Sequence, residues 1–213
     1  MAKAKKEKHE RHENDAYYTP GKTTRLILKA IGAELRLLMT QPDFRVVEPS
    51  AGTGSIVREL IRWGVDPSQI EAVDLDERAL EKVAAMNVQT HCKDFRLFTP
   101  KKPCTLVMGN PPYGDDLPVE FHRHIMSWKH KPRMVVMLLR LNWLGAQGRL
   151  WFHRQNPSDV YVLPERPSYT GDGQTDGTEY AWFVWCDWLP GGHYFLLDII
   201  DPMQLQMFGE PEP

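Results

Sequence analysis

The sequence predicts an α/β fold: a mostly parallel sheet with helices on both faces and an antiparallel finish. Two observations carry this. Short apolar runs alternate with segments of helical periodicity, which is the pattern of βαβ units. The last two apolar runs, Y-A-W-F-V-W (180–185) and H-Y-F-L-L (193–197), have little between them, which suggests an antiparallel finish. No internal repeat interrupts the order.

The elements follow one another plainly. From Thr23 to Met39, Leu26, Ile27, Ala30, Ile31, Leu35 and Leu38 recur at helical spacing. F-R-V-V-E (44–48) is a strand, and Ser55 to Trp63 a helix stopped by Gly64. I-E-A-V-D (70–74) is the second strand, Glu77 to Met86 the next helix, and N-V-Q-T-H-C (87–92) the third strand. C-T-L-V-M-G (104–109) is the fourth, Leu117 to Lys129 a helix, and R-M-V-V-M-L-L (133–139) a strongly apolar strand. Gly148 to Asn156 reads as a short helix and D-V-Y-V-L (159–163) as a strand. Then comes a long Gly-, Asp- and Thr-rich loop, 166–180.

The bulk numbers narrow the class. The 213 residues suffice for one domain with a full core. They are 42% apolar and 25% charged, as in ordinary globular proteins. Every apolar run is broken before it reaches a membrane span, and the charged amino terminus lacks the apolar core of a signal peptide. Three scattered cysteines, Cys92, Cys104 and Cys186, suit a reducing cytoplasm and offer no zinc spacing. With a net charge of −2, nucleic acid would have to be held by a local basic patch. Residues 1–15 hold no large apolar side chain after Met1 and read as a mobile charged arm, 16–200 as the folded domain and 201–213 as a tail.

In open α/β sheets, ligands sit beyond the carboxyl ends of the strands. The first strand ends in E-P-S-A-G-T-G, where Gly52 and Gly54 let the backbone turn tightly and approach a ligand. No G-K-[ST] follows, so this is not a P-loop, and Val57 stands where a dinucleotide fingerprint has its third glycine. Asp74, ending the second strand, can accept from both hydroxyls of a ribose. Leu75 can cover one face of a purine. Asp94 offers an acceptor for an adenine amino group and Phe95 a ring to pack against it.

Together these pieces resemble the class I S-adenosylmethionine-dependent methyltransferases. E-P-S-A-G-T-G matches the family's methionine-binding loop, A-V-D-L-D its ribose acid and K-D-F its adenine-binding acid. D-A-Y-Y-T-P (15–20) resembles the segment closing over the methionine end of the cofactor in amino-methyltransferases, through Tyr18, Thr19 and Pro20. The resemblance implies a Rossmann-like fold on a seven-stranded sheet. It implies S-adenosyl-L-methionine bound by Tyr18, Thr19, Pro20, Glu48, Pro49, Ser50, Gly52, Gly54, Asp74, Leu75, Asp94, Phe95 and Asn110.

The fourth strand ends in N-P-P-Y: Asn110, Pro111, Pro112 and Tyr113. An adenine N6 amine is a poor nucleophile, because its lone pair is conjugated into the ring. Two acceptors, one on each N–H, localise that lone pair; the Asn110 side-chain oxygen and the Pro111 carbonyl can serve, with the Pro-Pro backbone rigid. Tyr113 can stack on the base. The motif is similar to that of methyltransferases acting on exocyclic or amide nitrogens, and its order along the chain resembles the gamma group of DNA adenine-N6 enzymes. Such enzymes usually carry a target-recognition domain after the core, whereas here the core takes up nearly all of the sequence, so it looks closest to short single-domain enzymes carried by phages and mobile elements.

Adenine in DNA, single-stranded or flipped from the duplex, is therefore the expected acceptor. RNA adenine-N6, protein glutamine-N5 and a non-catalytic binding module are the alternatives. Candidate phosphate contacts are Lys101, Lys102, His122, Arg123, His124, Lys129, Lys131, Arg140, Arg149, Arg154 and Arg166. Tyr169, in the 166–180 loop, is a candidate for the other face of the base. Q-L-Q-M-F, with Gln204, Leu205, Met207 and Phe208, resembles the peptide that docks on bacterial sliding clamps.

Overall fold

A computed structural model describes residues 19–145, 157–167, 177–189 and 197–199. The charged arm, Tyr18, the expected helix Gly148–Asn156, Arg149, Arg154, Tyr169 and the tail with Gln204, Leu205, Met207 and Phe208 lie outside them.

Two helices open the fold, α1 (Gly21–Ala30) and α2 (Gly32–Met39), where the periodicity predicts one. They meet at Ile31, which leaves the helical region at φ −96° and ψ 19°. Gly32 follows, and a methyl group there would lie 3.1 Å from the Trp63 ring. Close packing of α2 on Trp63 thus favours glycine, a poor helix former, at this point.

The βα alternation then runs as expected: β1 (Val46–Glu48), α3 (Ser55–Trp63), β2 (Ile70–Asp74), α4 (Glu77–Ala84), β3 (Gln89–Cys92), β4 (Leu106–Gly109), α5 (Leu117–Ser127) and β5 (Met134–Arg140). The third strand begins two residues later than its apolar pattern suggests, because Asn87 occupies the left-handed region at φ 62° and makes the turn. β6 (Asp159–Val162), β7 (Tyr180–Cys186) and β8 (Leu197–Ile199) complete the sheet in the order β3-β2-β1-β4-β5-β7-β6-β8.

Strands β1 to β5 run parallel, and β7 lies antiparallel between β5 and β6. This is the mostly parallel seven-stranded sheet with its antiparallel element. The antiparallel finish lies at this end of the sheet. β7 pairs with β5 and β6, while β8 adds an eighth strand parallel to β6.

Strand residues alternate between two buried layers, as the pleat dictates. Val46, Ala72, Leu106, Met108, Val136, Leu138 and Trp182 meet α1 to α4. Val47, Val73, Val107, Val135, Met137 and Phe183 meet α5 and an aromatic group around Phe95, Phe98 and Trp128. Helices therefore cover both faces. Among the described residues no helix is long and apolar enough to cross a membrane.

Candidate active site at the carboxyl ends of the strands

The parallel strands deliver Glu48, Asp74 and Gly109–Asn110 to one end of the sheet. Beyond β1, Gly52 (φ 50°) and Gly54 (φ 78°) take the left-handed turn that leads into α3. Gly54 is also sterically required, since a methyl group there would lie 2.6 Å from Met86 Cε. The turn is tied to β2: Ala51 N–H donates to the Val73 carbonyl at 3.0 Å, and Gly52 N–H to Asp74 Oδ2 at 2.7 Å. Asp74 Oδ1 accepts from Asp76 N–H at 2.9 Å. A carboxylate has about four lone-pair positions, so both oxygens keep acceptor capacity for a ligand.

Glu48 stands beside Asp74 and is 1% exposed. Burial, then the Asp74 charge, push its carboxyl well above the ordinary range, against an opposing bond from Val57 N–H. Among the described residues its Oε2 has no hydrogen-bond partner. An unsatisfied buried oxygen beside a second carboxylate makes this end of β1 and β2 suited to a cationic ligand.

Around β3 the picture is mixed. Leu75 is 70% exposed, an apolar side chain held in solvent beside Asp74, as a purine cover requires. Asp94 is gripped by Arg96, whose Nη2 lies 2.6 Å from Oδ2 and whose other arm reaches Glu120 at 2.8 Å. The hydrogen bonds from Arg96 hold the Asp94 carboxyl below its usual range. Phe95 requires a correction. Its ring is 2% exposed and packs against Phe121 (4.9 Å), His124 (5.4 Å) and Trp128 (5.9 Å), so its side chain belongs to the core and presents no face to a base.

The N-P-P-Y segment is joined to both the glycine turn and the amino-terminal segment. Gly109 lies so close to Pro49 that a methyl group would come 2.7 Å from its Cδ. Ser50 Oγ donates to the Asn110 carbonyl at 2.9 Å. The Asn110 side chain is buried, and its Nδ2 donates to Thr19 Oγ1 at 3.0 Å. Ser55 Oγ in turn donates to the Thr19 carbonyl. Thr19, Ser50, Ser55 and Asn110, far apart in sequence, thus form one connected group. Pro20 follows Thr19 at the entry to α1, Pro111 is buried and Pro112 half-buried.

Tyr113 turns its hydroxyl inward, where it donates to Asn110 Oδ1 and also lies 3.1 Å from the Leu138 carbonyl. With Nδ2 on Thr19 and Oδ1 on the tyrosine, the amide orientation of Asn110 is fixed from both sides. A single hydroxyl hydrogen serves one acceptor at a time. Asn110 Oδ1, with two lone pairs, keeps one for a further donor beside the tyrosine.

Three neighbours of Tyr113 escape sequence reasoning: Leu138, Tyr180 and the stacking role of Arg140. Tyr180 lies tilted against the ring at 5.5 Å, and the Arg140 guanidinium sits 5.0 Å above it. Arg140 and Tyr180 are cross-strand partners in the β5–β7 ladder. Only the pairing of β5 with a distant strand brings them together. Arg140 was legible solely as a cation at a strand end.

The other candidate phosphate contacts are rearranged by the fold. Lys101 and Lys102 precede β4, and Lys129 and Lys131 precede β5, so these exposed lysines flank the amino ends, away from Asn110. His122 is fully buried and tilted against Trp185 with ring centroids 4.4 Å apart, and burial lowers its pKa to about 4. It is a neutral core residue and not a phosphate contact. His124 is engaged by the Phe98 carbonyl and the Trp128 ring N–H. Arg123 is exposed on α5, and Arg166 is paired with Glu179.

No protein-family model matches the sequence, and a search of curated proteins finds no relative. Solved structures do match in shape. A Listeria monocytogenes protein assigned to the class I S-adenosylmethionine-dependent methyltransferases superimposes with a TM-score of 0.62 at 13% identity, over 86% of this chain and 68% of its own. A Pyrococcus horikoshii protein assigned as an RNA methyltransferase gives 0.62 at 13% identity, over 80% and 85%. A Thermoplasma acidophilum protein gives 0.54 at 14% identity, over 81% and 90%. With the strand order, the glycine turn after β1 and the acid ending β2, these matches establish that the chain has the Rossmann-like fold of the class I methyltransferases.

Proposed function

We propose that this protein transfers a methyl group from S-adenosylmethionine to the exocyclic N6 amine of adenine in DNA. The observation that carries the reading is Asn110. It is a buried amide at the end of β4, fixed by Thr19, with its oxygen already receiving a hydrogen bond from a hydroxyl. An oxygen so held is an acceptor prepared for one N–H of a planar amine.

The residues present fit the cofactor. Its ammonium group suits Glu48, whose buried Oε2 is unsatisfied, and Asp74 keeps acceptor capacity for the ribose hydroxyls. Gly52 and Gly54 permit close backbone approach, and Leu75 offers an exposed apolar cover. Thr19, Pro20, Pro49 and Ser50 lie between these groups and Asn110, while Asp94 stands beyond β3. Bound there, S-adenosylmethionine supplies an electrophilic methyl group.

The chain's own contribution is alignment. Asn110 Oδ1 takes one N–H on its second lone pair, and the Pro111 carbonyl takes the other. The two acceptors draw the nitrogen lone pair out of conjugation and toward the methyl group. The proton leaves after transfer, so no dedicated base is needed. Tyr113 supplies a ring face to set the plane of the base.

Labelled methyl transfer to DNA, RNA and protein, followed by mass spectrometry of the nucleosides, tests this. N6-methyladenine from DNA is the expected product, and Asn110→Ala abolishes it. Transfer to RNA alone would move the reading to an RNA adenine. Transfer to protein alone would replace it with a glutamine amide.

A further inference from the structure

We propose that Glu59 is a positioning residue: from α3 it closes the amino end of α1 and so sets Thr19, which orients the Asn110 amide toward the acceptor nitrogen. This rests on the methyl-transfer reading above.

The amino end of α1 has no cap of its own. It follows Pro20, no side chain caps it, and no acid stands in its first turn. A helix end carries N–H groups without intrahelical partners and a partial positive charge, which favour an anion. Glu59, on the neighbouring helix, supplies one. Its side chain is 4% exposed, and Oε1 lies so near Gly21 that a methyl group on that residue would come within 2.5 Å of it. Glycine at the first position of α1 is what admits the carboxylate. Oε1 also accepts from Arg25 Nη1 of α1 at 2.9 Å and from Arg62 Nη1 of α3 at 2.8 Å. Oε2 is buried and has no hydrogen-bond partner among the described residues. A buried carboxylate left half satisfied is a costly way to join two helices, and apolar side chains would join them at less cost. What the charge adds is position, because it acts at the end of α1 and not along its side.

Ser55 and Glu59, four residues apart on α3, share one face of that helix. Ser55 Oγ donates to the Thr19 carbonyl, and Glu59 packs on Gly21. The turn is thus gripped on both sides of Pro20, and Thr19 Oγ1 is placed to accept from Asn110 Nδ2 at 3.0 Å. When the first turn of α1 frays, that acceptor withdraws. The Asn110 amide can then turn over and present N–H groups to an amine that needs an acceptor. Glu59 touches no reacting atom; it acts through Thr19.

The test uses the full chain. Glu59→Gln keeps the shape and removes the charge. Its kcat for methyl transfer to an oligonucleotide falls about tenfold, while KM for S-adenosylmethionine stays within about twofold. The Asn110 side-chain amide protons, followed by NMR with no acceptor present, exchange about tenfold faster. In a Thr19→Val background Glu59→Gln has no further effect on kcat, because the route through Thr19 is already cut. Arg25→Gln and Arg62→Gln are changes at exposed residues, and they decide the matter if the Glu59 variant fails to fold. Both remove a bond to the same oxygen, but only Arg25 ties that oxygen to α1. Arg25→Gln speeds the amide exchange and lowers kcat about fivefold, whereas Arg62→Gln leaves both within about twofold. Equal effects of the two would overturn the inference, since Glu59 would then only balance charge. Losses that add in the double variant would overturn it too. A wild type that methylates no DNA would overturn the DNA reading, and the exchange rates alone would then decide the inference.

Discussion

At the scale of single residues, the site depends on how few ways Asn110 can be held. Its Nδ2 has Thr19 Oγ1 as acceptor at 3.0 Å in a buried setting. Thr19→Val removes that acceptor and leaves a buried donor unsatisfied, at a cost of about 1–3 kcal/mol of stability. Turnover is expected to fall about tenfold or more, since ~1.4 kcal/mol of lost alignment has that effect. Thr19→Ser restores most of both, as thermal melts and steady-state rates will show. This part of the site was half legible in the sequence. Thr19 and Asn110 each belong to a recognisable segment, but their bond, across 91 positions, follows only from α1 lying over the end of β4. Phe95 shows the opposite failure: its place after a ligand-side acid suggested a ring for the base, and a vacancy in the α5 face took the ring instead.

At the scale of elements, the meeting of the glycine turn with the end of β4 limits what can change. Gly109 lies against Pro49 so closely that Gly109→Ala drives a methyl group to 2.7 and 2.8 Å of the proline ring. Overpacking of this kind typically costs about 1–3 kcal/mol. Here it also separates the two motifs, so the expected outcome is lost methyl transfer in a protein that still melts cooperatively, only earlier. Calorimetry alongside the transfer assay checks this. The strand ends themselves were legible because alternation of apolar runs with helical periodicity fixes the direction of each parallel strand. That the helical stretch 23–39 would divide at Ile31 was not, since the cause is a contact between Gly32 and Trp63 in another helix.

At the scale of the whole molecule, two buried titratable groups set opposite pH trends. His122 has its pKa lowered to about 4 from 6.5 by burial. The unfolded chain therefore binds the proton more readily, and stability falls as pH drops from 6.5 toward 4, by an amount on the order of 3 kcal/mol. Glu48 is raised above its ordinary value of 4.5 and holds its proton more tightly when folded, so its contribution declines as pH rises through that raised value. Melting temperatures followed against pH should lose their acid-side slope in His122→Leu. In Glu48→Gln the acid-side slope stays and the stability toward neutral pH improves. Neither trend was legible beforehand, because His122 reads in sequence as a surface cation of a helix and turns out to face Trp185.

The placing of β7 has one more consequence, for the order in which the protein is made. β5 emerges from synthesis early, and its inner neighbour β4 is already present. Its other neighbour is β7, which comes about forty residues later and also separates β5 from β6. Until Tyr180–Cys186 arrives, Met134–Arg140 is a long, flat and strongly apolar edge with its backbone groups unpaired, a template for association with other chains. A chain ending at Glu179 is expected to aggregate, while the full chain refolds best when dilute, and light scattering during refolding at several concentrations would measure the difference. The strand that completes the tyrosine–arginine group beside the N-P-P-Y segment is thus also the one that ends the nascent protein's most exposed interval.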